Sequence, residues 1–318
     1  MPTTLQELDK EYIPTHWETP NCPFCGEVSF HLIERFGPDH RYHSVECDSC
    51  SLAYMNPRPR YDEEFLRIAY DSYADNDEVF NKFKQQILKS PDAHESDVRL
   101  TIEDLNPSDV AMLKENMDVV RFFEERYGRK GRFLDVGCAT GFMCLAAVER
   151  GWSAVGIDIS KPMVEFMTKV LGITGFAGQY HQTREVAQEG PFDVIYCSHV
   201  IEHIPNPNDW CEKFSEQLAE GGILCLQVPA NNSPERRIKR ILKRLGLKKD
   251  DWKLWRTPDH LYEPSIGPVK ALLARHGLKI VDWETYSRKD LLNQSFLSKL
   301  RHRWLKAGNN LRIIAQKS

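Results

Sequence analysis

Four cysteines near the start of the chain have the spacing of a zinc site. They form two Cys-x-x-Cys pairs with twenty-one residues between the pairs, and they are Cys22, Cys25, Cys47 and Cys50. Two residues between paired thiolates let both sulfurs face one ion from a tight turn, and four thiolates match tetrahedral zinc. Such a closed shell leaves no position for water, so the pattern predicts structural rather than catalytic zinc. Redox-active cysteine pairs are the alternative.

Three histidines lie between the cysteine pairs: His31, His40 and His43. We expect them to be surface residues or to face a substrate, because four cysteines already complete the metal shell. A zinc ion can hold together a segment that has too little apolar core of its own. The module could also bind a partner or a nucleic acid. Because it has few basic residues, we favour the structural role, in which zinc holds the segment together.

A glycine-rich turn is the second chemical signal. The run FLDVGCATGF at 133–142 places Asp135 two residues before the first glycine. Small residues let the backbone approach a ligand closely, and the helix that follows offers free N–H groups. A second acid, Asp158, ends the next apolar run about twenty residues later, where a carboxylate can accept hydrogen bonds from ribose hydroxyls.

This turn differs from the dinucleotide-binding fingerprint. That fingerprint is Gly-x-Gly-x-x-Gly, whereas three residues separate Gly137 from Gly141 here. The carboxylate of Asp135 would repel a pyrophosphate, but it would attract a cationic amino-acid group. S-adenosylmethionine carries an ammonium and a sulfonium group and no phosphate, so it suits the turn better.

Short apolar runs alternate with helix-like segments from Arg132 onward. The strand-like runs are RFLDV, SAVGIDI, FDVIYCS and GGILCLQV, and helix-like segments such as CLAAVER lie between them. This alternation predicts an α/β fold, a Rossmann-like doubly wound sheet with helices on both faces. Two late runs, LKIVDWETY and NLRIIAQKS, would complete a seven-stranded sheet with an antiparallel edge.

The composition is that of a globular protein. Hydrophobic residues make up 41% of the 318 residues, and the net charge is −4. This charge balance argues against a protein that binds nucleic acid through a broadly basic surface. No apolar run reaches the length of a membrane span, and the first twenty residues lack the features of a secretory signal. Nine cysteines, an odd number, suggest a reducing environment, so we expect a cytoplasmic protein.

Three stretches differ in residue usage. We predict a zinc-ribbon-like module at residues 1–60, a helical lid or insert at 61–130 and a cofactor-binding domain at 131–318. Three tyrosines of the insert could cover the cofactor or pack against the main domain: Tyr61, Tyr70 and Tyr73.

The motifs DVGCATGF, GIDIS, FDVIYCSHVIEHIPNP and GGILCLQVP resemble those of class I S-adenosylmethionine-dependent methyltransferases. Within that class the chain is most similar to the ubiquinone-biosynthesis O-methyltransferases and to related small-molecule and sugar methyltransferases. The resemblance covers roughly residues 131–290. The segment from CPFCG to CDSC resembles a head found on some bacterial members associated with surface-polysaccharide or secondary-metabolite pathways.

The resemblance implies how the cofactor is bound. Asp135 and the backbone of the turn would hold the methionine end, and Asp158 would bind the ribose. The other implied cofactor-binding residues are Gly137, Cys138, Ala139, Gly141, Phe142, Ile159, Gln179, Ser198 and His199. Two of them depart from the family pattern, because Ala139 replaces a usual glycine and Gln179 stands where an Asp usually binds the adenine amine.

Methyl transfer to a hydroxyl group requires alignment and a base that takes the proton. Histidine suits that role at neutral pH, and the candidates are His199, His203 and His260. Asp259 could orient His260. The resemblance favours an architectural role for the Glu202-His203 pair.

Residues 234–249, here called the basic segment, combine eight Lys and Arg residues with Ile and Leu at spacings of three and four. The spacing predicts a helix with one apolar and one cationic face. Three roles remain open. The segment could be a surface helix packed over the sheet, a site for an anionic acceptor such as a nucleotide-sugar, or a contact with membrane or RNA.

The sequence thus predicts methyl transfer from S-adenosylmethionine to a small-molecule or glycan-type acceptor, with O-methylation favoured and nucleic acid disfavoured. One alternative is an RNA methyltransferase whose zinc module binds RNA. The other is a non-catalytic binding module with a degenerate methyltransferase fold.

Overall fold

The structure is a computed structural model of the chain. It describes residues 16–36, 42–61, 81, 105, 107–128, 130–230, 238, 241–242, 245–247, 260–286 and 308–318. Much of the predicted helical insert, including Tyr70 and Tyr73, lies outside the described residues, as do His40 and Asp259.

The N-terminal part contains five short strands in two small sheets. They are β1 (Trp17–Glu18), β2 (Phe30–Phe36), β3 (Tyr42–Cys47), β4 (Ala53–Met55) and β5 (Arg58–Pro59). Strands β2, β3 and β4 form an antiparallel sheet, and β1 pairs with β5. The cysteine pairs flank the β2–β3 hairpin, so the two halves of the predicted zinc site approach each other.

The second half contains the alternating elements that the apolar runs predict. They are α1 (Pro107–Tyr127), β6 (Arg132–Val136), α2 (Phe142–Glu149), β7 (Ser153–Asp158), α3 (Lys161–Phe166), β8 (Thr174–Ala177), β9 (Phe192–Ser198), α4 (Pro207–Gln217), β10 (Leu218–Pro229), α5 (Ile266–Arg275), β11 (Leu278–Tyr286) and β12 (Asn310–Lys317). A short π-helical turn, Met167–Leu171, continues α3, and two 3₁₀ turns, Glu185–Glu189 and Ile201–His203, flank β9.

Seven of these strands form one sheet in the order β11-β12-β10-β9-β6-β7-β8. Strands β6 to β10 are parallel to one another, whereas β12 is antiparallel to both of its neighbours, β10 and β11. The predicted fold class is therefore confirmed. The antiparallel strand lies one place inside the edge of the sheet, because β11 forms the edge itself.

Alternating side chains of the sheet enter two cores. On one face, Phe123 of α1 packs against Phe133 and Tyr196, with ring centroids 6.1 Å apart in both pairs. On the other face, Leu134 and Ile195 belong to a core that also includes residues of α4, α5 and the N-terminal sheet. Helices thus cover both faces, and the N-terminal part shares a core with the main sheet.

Several contacts attach the N-terminal part to residues 260–263 and to helices α4 and α5. The ring of Phe24 meets that of Tyr262 edge-on at 5.0 Å. The side-chain amide of Asn208 donates to the carbonyl of Pro23 at 2.8 Å, and the N–H of Met55 donates to the carbonyl of Leu261 at 2.8 Å. These contacts pack the part of the chain that carries the cysteine cluster against the segment that carries His260.

The predicted domain boundaries stay a prediction. Helix α1 lies within the stretch assigned to the insert, and its Phe123 is fully buried against the sheet. Tyr61 packs against the shared core. Among the described helices, none combines the length and the hydrophobicity that a membrane span requires.

The two cysteine turns have the same backbone geometry with different residues. The N–H of Gly26 donates to the carbonyl of Cys22, and the N–H of Ser51 donates to the carbonyl of Cys47. Both residues have left-handed φ angles, 78° at Gly26 and 58° at Ser51. A side chain disfavours this conformation by about 1–2 kcal/mol, so the second turn is strained where the first is not.

We predict that Ser51→Gly increases the free energy of unfolding by about 1 kcal/mol. The matched change, Gly26→Ser, should decrease it by a similar amount, because no atom lies within 4 Å of the added Cβ and only the φ angle opposes it. Chemical denaturation of the zinc-loaded proteins measures both effects. Equal destabilisation by both changes would contradict this account of the turns.

Candidate functional site

The four cysteine sulfurs form a compact cluster. All four lie within 4.8 Å of one another, and the pairs Cys22–Cys50 and Cys25–Cys47 are each 3.5 Å apart. Tetrahedral zinc with bonds of about 2.3 Å separates its sulfurs by about 3.8 Å. All four cysteines are free thiols rather than disulfides. The cluster therefore has the composition and spacing that a structural zinc ion requires.

Hydrogen bonding between thiols makes the cluster electrostatically uneven. The hydrogen bond from Cys22 lowers the pKa of Cys50 to about 5. The same contact, together with burial, raises the pKa of Cys22. The two thiols are therefore unequal, and a bound zinc ion would hold all four sulfurs as thiolates.

The glycine turn lies against the end of strand β9. Gly137 has a φ of 82°, and a Cβ atom there would stand 2.1 Å from a methyl group of Val200. Its N–H and that of Cys138 both donate to the carbonyl of Ile157. Only glycine allows both this φ angle and the close approach of Val200. The turn and the segment after β9 are therefore packed directly against each other.

A carboxylate holds the middle of this turn. The Oδ2 atom of Asp158 accepts a hydrogen bond from the N–H of Ala139 at 2.9 Å, and its Oδ1 atom accepts from Ser160 at 2.8 Å. Ala139 has a left-handed φ of 46°, a conformation that a side chain disfavours, so its methyl group is strained where the resemblance implies glycine. Asp158 therefore shapes the turn in addition to its expected contact with ribose.

Asp135 is a buried acid at the end of β6, with 4% of its surface exposed. Burial, and secondarily the nearby carboxylate of Asp158, raise the pKa of Asp135 to about 8. A cationic ligand beside it would reverse this shift, because an opposite charge favours the ionised form.

The remaining predicted cofactor residues surround the same edge of the sheet. Cys138 and Phe142 are buried, whereas Ile159, Gln179 and Ser198 are partly exposed. The loop that contains Gln179 is joined to the end of β7 by a hydrogen bond of 2.8 Å from Gly178 to the carbonyl of Asp158. All of them lie where parallel strands end, which is where ligands bind in doubly wound folds.

His199 forms a polar network with one buried acid and one buried phenol. Its Nδ1 atom lies 3.2 Å from Oε1 of Glu202, and its Nε2 atom lies 3.3 Å from the hydroxyl of Tyr286. The Tyr286 hydroxyl donates to Oε1 of Gln227 at 2.7 Å, and Ser198 donates to the same oxygen at 3.2 Å. The imidazole is 44% exposed while Glu202 is fully buried, so a buried carboxylate contacts an accessible imidazole.

His203 and His260 form a second group next to Glu202. Their rings meet edge-on with centroids 4.9 Å apart. His260 is 5% exposed rather than open at a crevice mouth, and its Nδ1 atom lies 3.3 Å from Glu263. The ligand atoms of Glu202, His203 and His260 lie within 4.8 Å of one another, so this group could also hold a metal ion.

The sequence missed three residues of these networks: Gln227, Glu263 and Tyr286. Gln227 is a single polar residue inside an apolar strand, and this was the one available signal. Glu263 is fully buried, and Tyr286 lies on the edge strand that pairs with β12. Their positions depend on long-range packing, which spacing along the chain does not reveal.

Comparison with known proteins agrees with this geometry. Residues 110–282 match a family described as a methyltransferase domain. The ubiquinone biosynthesis O-methyltransferase of Pseudomonas paraeruginosa is 31% identical over 121 residues, which cover 36% of this chain and 52% of that protein. The enzyme of the same name from a Caulobacter species is 25% identical over 178 residues, which cover 49% of this chain and 67% of that protein.

The chain spans about half the length of the first of these relatives. Among solved structures, the magnesium protoporphyrin IX methyltransferase of Synechocystis is 16% identical and has a TM-score of 0.48, covering 81% of this chain and all of that one. The match of the family over residues 110–282 confirms the resemblance that the motifs indicate.

We predict that the protein contains one zinc ion per chain and that Cys50→Ser abolishes its binding. The matched control is Cys144→Ala, which removes a buried thiol on α2 outside the cluster. Elemental analysis of the purified proteins measures the zinc content, and thermal unfolding should show a large loss of stability in Cys50→Ser only. A full zinc content in Cys50→Ser would contradict the assignment.

Proposed function

Since the chain belongs to the methyltransferase domain family, we propose that it transfers a methyl group from S-adenosylmethionine to a hydroxyl group of a small-molecule or glycan-type acceptor. The observation that carries the proposal is the position of His199. It is an exposed imidazole held by a buried carboxylate, one residue before the Val200 side chain that packs on the glycine turn.

The residues at the edge of the sheet fit S-adenosylmethionine. This group supplies a methyl group bonded to a positively charged sulfur. Asp135 would hold its ammonium group, and the backbone of the turn from Gly137 to Gly141 would leave space for the methionine end. Asp158 retains acceptor capacity for ribose hydroxyls, because each carboxylate oxygen has two lone pairs and accepts one backbone N–H. Ile159 and Gln179 would meet the adenine.

His199 would act as the base that takes a proton from the acceptor hydroxyl. Its contact with Glu202 favours the tautomer with the proton on Nδ1, which leaves Nε2 as a proton acceptor. In the structure, Nε2 lies 3.3 Å from the Tyr286 hydroxyl, whose single proton is directed to Gln227. An acceptor hydroxyl that takes the place of the phenol at Nε2 would lose its proton to the imidazole. Ser198 would lie beside the path of the methyl group.

His203 and His260 would shape the wall of the site in this proposal. His260 is buried and held by Glu263, so it has less access to an acceptor than His199. The names of the relatives support O-methylation of a small molecule. Neither an RNA acceptor nor a non-catalytic role is favoured by the family. Zinc would be structural, because its four thiolates close the coordination shell.

The cofactor part of the proposal predicts proton release on binding. The pKa of Asp135 is raised to about 8 in the free protein, so its carboxyl group is largely protonated at neutral pH. The ammonium group of S-adenosylhomocysteine would favour ionisation, so binding should release a proton and strengthen as the pH rises toward 8. Calorimetric titration in buffers of different ionisation enthalpy measures the release.

Asp135→Asn is the test of this linkage. It should weaken binding of S-adenosylhomocysteine at least about tenfold, since a charge pair is lost in a buried site, and it should abolish proton release. Asp158→Ala is a poorer probe, because it also removes the acceptor that holds Ala139. Tight binding by Asp135→Asn with unchanged proton release would contradict the role of this acid.

The catalytic part predicts that His199→Gln lowers the methyl-transfer rate by about 10²–10⁴ with little change in S-adenosylhomocysteine affinity. Transfer is followed as S-adenosylhomocysteine formation with a panel of phenols, sugars and nucleotide sugars. The matched control is His31→Gln, which removes an exposed histidine that also contacts a carboxylate, Asp48. A His199→Gln enzyme as active as the wild type would contradict the role of His199 as a base. It would show that alignment of the acceptor with the methyl group is sufficient for transfer.

A further inference from the structure

The basic segment exposes large apolar side chains. Ile238, Ile241, Leu245 and Leu247 are 57%, 55%, 64% and 70% exposed, respectively. The possibility that this apolar face packs over the sheet is therefore wrong for these four residues. Water does not favour so much exposed aliphatic surface, so the face requires another explanation.

Helical geometry places three of these side chains on one side. Ile238, Ile241 and Leu242 are helical, and the N–H of Leu245 donates to the carbonyl of Ile241 at 3.0 Å. Positions 238, 241 and 245 recur at three and four residues and so share a face. The helix ends at Gly246, whose φ is 67°, and the N–H of Leu247 donates back to the carbonyl of Leu242 at 2.9 Å.

Positive charge is concentrated in the same segment. Its sixteen residues include eight Lys and Arg and a single acid, Glu235, which give a net charge of +7. Because the whole chain carries −4, the other residues together carry −11. The segment is therefore a local cationic region on an otherwise acidic protein, which would steer it toward anionic partners.

We propose that the basic segment docks the protein on an anionic lipid surface. Exposed Ile and Leu would enter the boundary between headgroups and acyl chains, and the net charge of +7 would attract the segment to acidic headgroups. A single-stranded nucleic acid would meet the charges but would be expected to use aromatic stacking platforms rather than aliphatic residues. The combination of exposed aliphatic and cationic residues is what favours lipid.

The position of the segment gives the docking a consequence. The segment follows β10, and Gln227 near the end of β10 accepts the N–H of His199 at 2.8 Å through its carbonyl. Only four residues separate Pro229 from the segment, so docking would keep the end of β10 tethered near the membrane surface. The docking itself depends only on the basic segment and stands or falls independently of methyl transfer.

Flotation of the full-length protein with lipid vesicles tests the proposal. We expect binding to vesicles of phosphatidylcholine mixed equally with phosphatidylglycerol and little binding to phosphatidylcholine alone. The double variant Ile241→Ser/Leu245→Ser should lower the bound fraction at least about tenfold, because exposed apolar contacts are part of the energy. The matched control, Val281→Ser, removes an apolar residue of β11 that is 42% exposed and should bind as the wild type does.

Three outcomes would overturn the proposal. The first is absence of binding to the acidic vesicles. The second is binding that the double variant retains in full and that polyuridylic acid matches, which would indicate a surface for polyanions in general. The third is a dimer in sedimentation velocity that the double variant converts to monomer without any vesicle binding, which would assign the face to a second copy of the chain. Circular dichroism checks that the variants remain folded.

Discussion

The close contact between Gly137 and Val200 is the constraint on which the candidate site depends. A Cβ atom on Gly137 would lie 2.1 Å from a methyl group of Val200, so the Val200 side chain packs directly on the backbone of the turn after β6. This contact places the turn that is expected to face the cofactor beside His199. The buried carboxylates on either side, Asp135 and Glu202, would then orient a cationic ligand and an imidazole within the same crevice.

The N-terminal part packs against the residues that line this crevice. Phe24, between the first two cysteines, packs on Tyr262, whose hydroxyl donates to the carbonyl of Ile201 in the turn that carries Glu202 and His203. A zinc ion that holds the cysteine cluster would therefore also stabilise the wall of the site. A structural role of this kind would need no contact between the zinc ion and the reacting groups.

The sequence predicted the fold because its signals are local. Short apolar runs predicted β6, β7, β9 and β10, although they missed β8, and the Cys-x-x-Cys pairs predicted the sulfur cluster. The features it missed depend on contacts between distant segments. Tyr286 reaches His199 only because β11 and β12 complete the sheet beside β10, and Glu263 reaches His260 only within the packed core. The strained φ of Ser51 also has no sequence signal, because glycine is the residue expected at such a position.

A crystal structure of the protein with S-adenosylhomocysteine bound would test the central claim most directly. The account predicts electron density at the carboxyl ends of β6, β7 and β9, with the amino group near Asp135, the ribose near Asp158 and the sulfur directed toward His199. Density elsewhere on the protein, or a ligand whose sulfur points away from His199, would contradict the claim that the glycine turn and this histidine form one methyl-transfer site.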